Sequence, residues 1–177
     1  NFPIAIPAWK AAPALMCGNA VILKPASLTA GSAIALTEII SNQDIPNGLF
    51  NLVLGSGSDI GNKIATHPDI AAITFTGSVE IGKKLYHDSS PTLKKMQMEM
   101  GSKNPLVVMD DADLQTAITC AANGAFGGTG QKCTASSRLI VHENIYKEFV
   151  EGLIENIKNL KVGHALDAGT QMGPASN

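Results

Sequence analysis

No excess of either charge marks this chain. Its 177 residues carry 13 Lys+Arg against 15 Asp+Glu, a formal net charge of -2. That balance gives neither nucleic acid nor an anionic membrane an electrostatic reason to bind, and moves small-molecule chemistry forward. Long apolar runs are missing too. Runs such as Ala20 to Leu23 and Pro105 to Met109 fall far short of the roughly 20 residues a membrane-spanning helix needs. The start lacks the basic residues and apolar stretch of a signal peptide. Cys17, Cys120 and Cys133 are too few and too scattered for a disulfide framework or a metal cluster, so no metal and a reducing, cytoplasmic setting are expected. The chain opens at Asn1 without methionine and closes on Gly173 to Asn177 in loop-like sequence, and the expectation is a piece of something larger.

What is present is 45% hydrophobic sequence, enough to bury a sizeable core. Short β-branched and apolar runs recur at Ala20–Leu23, Leu49–Leu54, Ala71–Phe75, Lys95–Glu99, Leu106–Met109 and Leu139–Val141. They read as strands, mostly buried on both faces. Between them the spacing predicts helices over Thr29–Ser41, Asp59–Thr66, Val79–His87, Asp113–Phe126 and Asn144–Leu160. The last presents Tyr146, Phe149, Val150, Leu153, Ile154 and Ile157 at helical intervals. Strand and helix in alternation mean crossover units and an α/β fold with an open parallel, Rossmann-like sheet. A second α/β unit is expected to start near Lys103, dividing the chain into residues 1–102 and 103–177.

Cys133 is the most suggestive residue for chemistry. It follows Gly127-Gly128-Thr129-Gly130-Gln131-Lys132, a small and polar setting, and Lys132 with a helix start just beyond would favour the nucleophilic thiolate. Cys120, between Ile118 and Ala121-Ala122, reads as core. Glu99 ends a methionine-rich run, where desolvation would suit it to general-base work; the plain alternative is a surface glutamate. His67, His87, His142 and His164 read as exposed residues without a partnering pattern. Gly55-Ser56-Gly57-Ser58-Asp59-Ile60-Gly61 follows a strand and opens a helix, but its third glycine is one residue late for the dinucleotide fingerprint. Phe75-Thr76-Gly77-Ser78 sits at another strand-to-helix junction, suited either to a phosphate or to a plain serine cap.

Taken together, the chain resembles the NAD(P)-dependent aldehyde dehydrogenase superfamily. The motifs run in the family's order: Asn1-Phe2-Pro3, Ala8-Trp9-Lys10, Gly18-Asn19, Leu23-Lys24-Pro25-Ala26, Phe75-Thr76-Gly77-Ser78, Glu99-Met100-Gly101-Ser102-Lys103-Asn104-Pro105 and Gly130-Gln131-Lys132-Cys133. The resemblance implies a cofactor domain at 1–102 and the first part of a catalytic domain at 103–177. It also implies Cys133 as nucleophile, Glu99 as general base, and the Asn1 side chain with the Cys133 N–H as oxyanion donors. Cofactor contacts carried over from the motifs are Lys24, Ala26 and Ser27 at the adenine ribose, Gly77 and Ser78 near the pyrophosphate, and Met100 with Gly101 beside the nicotinamide. Gly57 and Gly61 are placed on the adenine side.

The resemblance implies oxidation of an aldehyde to a carboxylic acid through a cysteine thiohemiacetal and thioester, in a parent enzyme that assembles as a dimer or tetramer. Two alternatives stand beside it: a catalytically incompetent piece that is only structural or cofactor-binding, and a cofactor-independent thiol esterase. Many NAD-preferring relatives carry a glutamate where this chain has Ser27. Without that charge, NADP is expected to be accepted at least as readily as NAD. Ser102 stands where the family usually has a second glycine. Residues 95–113 and 130–141 look most like the bacterial semialdehyde dehydrogenases acting on 2-oxoglutarate or succinate semialdehyde, which favours an aldehyde with a distal carboxylate.

Overall fold

The computed structural model describes residues 1–176. The chain divides into two compact units, Phe2–Met100 and the residues from Gly101 on, with Asn1 grouped in the latter.

The first unit begins with a helix that the sequence reading did not anticipate, α1 (Ala5–Met16), because Pro13 lies inside it. A proline there cannot donate to the carbonyl four residues back and ordinarily argues against a helix. The helix closes at Gly18, whose φ of +79° suits only glycine well and whose N–H donates to Leu15 O at 2.9 Å. Two crossover units follow. Strands β1 (Val21–Leu23) and β2 (Phe50–Leu52) pair in parallel, with α2 (Ala30–Ser41) between them in sequence. A short π turn (Gly57–Gly61) leads into α3 (Asn62–Thr66). Strands β3 (Ala72–Gly77) and β4 (Lys95–Met100) then pair in parallel, connected through α4 (Val79–Ser89). Helix α4 packs on α3, and Lys84 Nζ donates to Asn62 Oδ1 at 3.0 Å.

The second unit repeats the plan once. Strands β5 (Asn104–Val108) and β6 (Ser136–Val141) are parallel, with α5 (Leu114–Phe126) between them and α6 (Tyr146–Lys158) after. Asp113 caps α5 by accepting the Thr116 N–H at 2.8 Å. The core here is Val108, Ile118, Ala121 and the wholly buried Phe149, ringed by Leu106, Leu114, Val141, Val150 and Leu153.

The α/β fold and its parallel crossovers are as expected. Among the described residues, the hydrogen-bonded strands form three two-stranded ladders, not one continuous sheet. The strands are not buried on both faces. β3 and β4 alternate between exposed and half-buried positions, because one face of each is left without cover by the residues described. Cys120 is exposed: α5 buries Ile118, Ala121 and Ala122, and Cys120 points away from that stripe. On α6, Tyr146 and Ile154 likewise face solvent.

Candidate functional site

Parallel strands release their chains at carboxyl ends, where short turns bring exposed backbone together. In the first unit, the proposed cofactor residues gather at two such ends. Lys24, Ala26 and Ser27 follow β1, and Gly57 and Gly61 follow its ladder partner β2. The half-buried Lys24 ties these turns together, its Nζ donating to Pro25 O at 2.7 Å and reaching Gly55 O at 3.5 Å. Ala26 and Ser27 are exposed, and ideal Cβ atoms at Gly57 and Gly61 would meet nothing within 4 Å. The second end holds Gly77 and Met100, which are register partners at the close of β3 and β4. Ser78 caps α4, its Oγ accepting the Ile81 N–H at 3.3 Å. Gly77 has a packing reason as well, since a Cβ there would lie 2.5 Å from the Phe75 ring.

These residues fit a dinucleotide in kind. Helix α4 starts with amide groups that have no intrahelical acceptor, the glycine turns leave open space, and an ammonium stands at the β1 end.

Glu99 lies on β4 opposite Thr76 and is exposed. The burial expected from its methionine neighbours is absent for a simple reason. Strand residues alternate faces, so Met96, Met98 and Met100 turn to the half-buried side while Gln97 and Glu99 share the open one. A polar chain runs across that open face. Lys10 Nζ donates to Thr74 Oγ1 at 2.7 Å, Thr74 Oγ1 donates to Gln97 Oε1, and Gln97 Nε2 donates to Glu99 Oε1 at 2.9 Å. Burial pushes the Lys10 ammonium down from its ordinary range, and the Glu99 charge pulls partly the other way. Gln97 and Thr74 went unnoticed in the sequence, although Thr74 is the register partner of Gln97 and Gln97 stands two residues from Glu99.

Cys133 is exposed and free. It sits in a turn closed by the Ala135 N–H on Lys132 O at 3.1 Å. No helix starts after it; the chain enters β6 at Ser136, so helix-dipole support for a thiolate is not available there. Among the described residues, the Cys133 N–H has no hydrogen-bond partner. Before the turn, Gly128, Thr129 and Gly130 are all left-handed, with φ of +60°, +60° and +67°. Asn104, also missed in the sequence, donates its side-chain amide to Cys133 O at 2.7 Å and to Ala135 O at 3.1 Å. Asn1 is exposed and belongs to the same unit as Cys133. Three histidines use Nδ1 to accept nearby backbone N–H groups: His67 from Asp69, His142 from Asn144 and His164 from Leu166. His142 is half-buried rather than exposed and lies 3.7 Å from Asp110, a partner the sequence reading did not foresee. No cluster of three metal-ligating side chains occurs among the described residues, and no helix there is long and apolar enough to cross a membrane.

Parallel crossover units with glycine and serine turns at their carboxyl ends make this an α/β protein. The chain belongs to the aldehyde dehydrogenase family, whose family model matches residues 1–177. It is 45% identical over 177 residues to an alpha-ketoglutaric semialdehyde dehydrogenase of Bacillus subtilis, covering 100% of this chain and 36% of that protein. A betaine aldehyde dehydrogenase of Brucella anthropi is also 45% identical, with the same coverage. Among solved structures, a Staphylococcus aureus betaine aldehyde dehydrogenase in complex with NAD+ superposes at a TM-score of 0.95 with 36% identity, over 98% of this chain and 34% of that one. An NADP-dependent enzyme of E. coli gives a TM-score of 0.95 at 40% identity, over 98% of this chain and 36% of its own. The chain therefore spans about a third of the length of the curated relatives it matches.

Proposed function

We propose that the protein carrying this chain oxidises an aldehyde to a carboxylic acid with NAD(P). The observation that carries this reading is the presentation of Cys133. A free thiol stands on a surface turn, and among the described residues the backbone N–H of the same residue has no hydrogen-bond partner. Nucleophile and oxyanion donor are thereby supplied by one residue. The Cys133 thiolate adds to the carbonyl carbon, and the π electron pair moves onto oxygen, held by the Cys133 N–H and the Asn1 amide. A bound nicotinamide supplies the acceptor for the hydride. As the hydride leaves with its electron pair, the oxyanion collapses to the carbonyl of a thioester. Glu99 takes a proton from water, the hydroxide adds, the carbon–sulfur bond breaks, and the thiolate is released with the acid.

Lys24, Ala26 and Ser27, with Gly57 and Gly61, are the residues proposed to hold the adenosine side. Gly77 and Ser78 would receive the pyrophosphate, and Met100 with Gly101 would border the nicotinamide. Residues 1–102 and 103–177 are accordingly proposed as cofactor and catalytic portions. NADP is proposed to be accepted at least as well as NAD, because Ser27 brings no negative charge to repel a 2′-phosphate. A semialdehyde with a distal carboxylate is the proposed substrate class, supported by the Bacillus subtilis relative. Assembly as a dimer or tetramer belongs to the same proposal. So does a cytoplasmic setting, which the exposed free cysteines favour.

The test is rapid-mixing kinetics of the full-length protein. Cys133→Ala is expected to abolish aldehyde-dependent NAD(P)H formation, whereas Glu99→Gln keeps the first-turnover burst and loses the steady state. A burst that survives Cys133→Ala would sink the reading.

A further inference from the structure

Strand β5 carries a proline, Pro105, which cannot donate to a ladder. The ladder shifts there: Asn104 pairs with Ser136, but Pro105 pairs with Arg138, leaving Ser137 as an extra residue on β6. Side chains fill the gap on both sides. Arg138 Nε and Nη2 donate to Lys103 O at 3.0 and 2.6 Å, and the half-buried Asn104 amide donates to Cys133 O at 2.7 Å and Ala135 O at 3.1 Å. These two carbonyls flank Thr134, inside the turn that the Ala135 N–H closes on Lys132 O.

We propose that Asn104 is a positioning residue for the Cys133 turn, its one amide group holding the carbonyls on both sides of Thr134 and so fixing the direction of the Cys133 N–H and thiol. The proposal rests on the reading of Cys133 as the nucleophile. A planar amide uses both of its N–H groups here, so the turn is pinned at two points and cannot rotate about either. Asn104 holds the peptide plane carrying the Cys133 carbonyl, and with it ψ, while the preceding plane, which carries the Cys133 N–H and sets φ, is held in the same turn by the Ala135 N–H on Lys132 O. Preorganisation of this sort matters for a donor that must meet an oxyanion only once it forms.

The experiment uses the full-length protein, following the rate constant and amplitude of the NAD(P)H burst separately. Asn104→Leu keeps the shape of the side chain without donors, and Asn104→Ser retains one. The burst rate constant is expected to fall about tenfold to a hundredfold in Asn104→Leu, the scale of a small misplacement of reacting groups, and by an intermediate factor in Asn104→Ser. Burst amplitude per folded site and the KM for NAD(P) should stay unchanged, while thioester hydrolysis, which passes through an oxyanion at the same Cys133 N–H, slows as well. A purely structural role would lower the amplitude at an unchanged rate constant, and that result overturns the proposal. If Asn104→Leu does not fold, the rate constant of Asn104→Ser decides: equality with the unmodified protein overturns it. Cys133→Ala separates the two readings. Loss of the burst there, with full burst rates in both Asn104 variants, leaves the nucleophile standing and removes only the positioning role.

Discussion

Gln97 and Glu99 occupy one face of β4 and are joined by a hydrogen bond, Gln97 Nε2 to Glu99 Oε1 at 2.9 Å. Gln97 is itself held from the other side by Thr74 and, through it, by Lys10. An exposed carboxylate is thus tethered by neighbours on its own strand and the next. Replacing Gln97 with Leu removes the tether and leaves the strand, with its methionines on the other face, in place. Thioester hydrolysis is expected to slow about fivefold, for the loss of ~1 kcal/mol of hydrogen bonding, while the burst stays at full rate. A loss of burst instead would place Gln97 outside the base's machinery.

Lys10 titrates below the ordinary lysine range because of burial, against an upward pull from Glu99. Removing that anion takes away support for the ammonium, so Glu99→Gln is expected to lower the Lys10 midpoint further. Nitrogen-detected NMR of the lysine Nζ groups across alkaline pH reads this directly. A midpoint that rises in Glu99→Gln contradicts the arrangement.

Ser27 is exposed at the turn after β1. The kcat/KM for NADP is expected to be at least equal to that for NAD, each tenfold between them being worth ~1.4 kcal/mol. Ser27→Glu, which adds a charge facing a 2′-phosphate, should cost NADP at least tenfold and leave NAD nearly untouched. A preference for NAD far above tenfold in the unmodified enzyme refutes the assignment.

The left-handed run before Cys133 separates two glycines that look alike in sequence. A Cβ at Gly130 would stand 2.8 Å from the Ala125 carbonyl oxygen, whereas the atoms nearest one at Gly128 belong to the Lys132 side chain, Cε being closest at 3.0 Å. Both positions have positive φ, which costs an L-residue ~1–2 kcal/mol. Gly130→Ala adds a collision with backbone, and its total is expected at ~3 kcal/mol. Gly128→Ala should cost only the conformational part, since a lysine end can move aside. Chemical denaturation of the two variants measures the difference.

The alternation of strands and helices was legible because β-branched runs and helical spacing are properties of short windows. Helix α1 escaped because Pro13 outweighs its neighbours locally, while its five alanines and the Gly18 stop carry the helix. Burial was harder to read. The apolar character of Met96 and Met98 was plain, but the inference that it would desolvate Glu99 ignored the two-residue period that puts them on opposite faces. Cys133 and Glu99 stood out by their neighbours in sequence. Asn104 did not, because its partners lie 29 and 31 residues away and only the proline-shifted ladder brings them within reach.

Lys24 and Ser27 stand three positions apart after β1, yet they are unequal as sites of change. The Lys24 ammonium is committed to the carbonyls of Pro25 and Gly55, so altering it loosens the junction between two turns before any ligand is involved. Among the described residues, the Ser27 side chain makes no such bond. A substitution at Ser27 would therefore leave the junction between the two turns intact, whereas one at Lys24 would disturb the scaffold as well as whatever binds beside it.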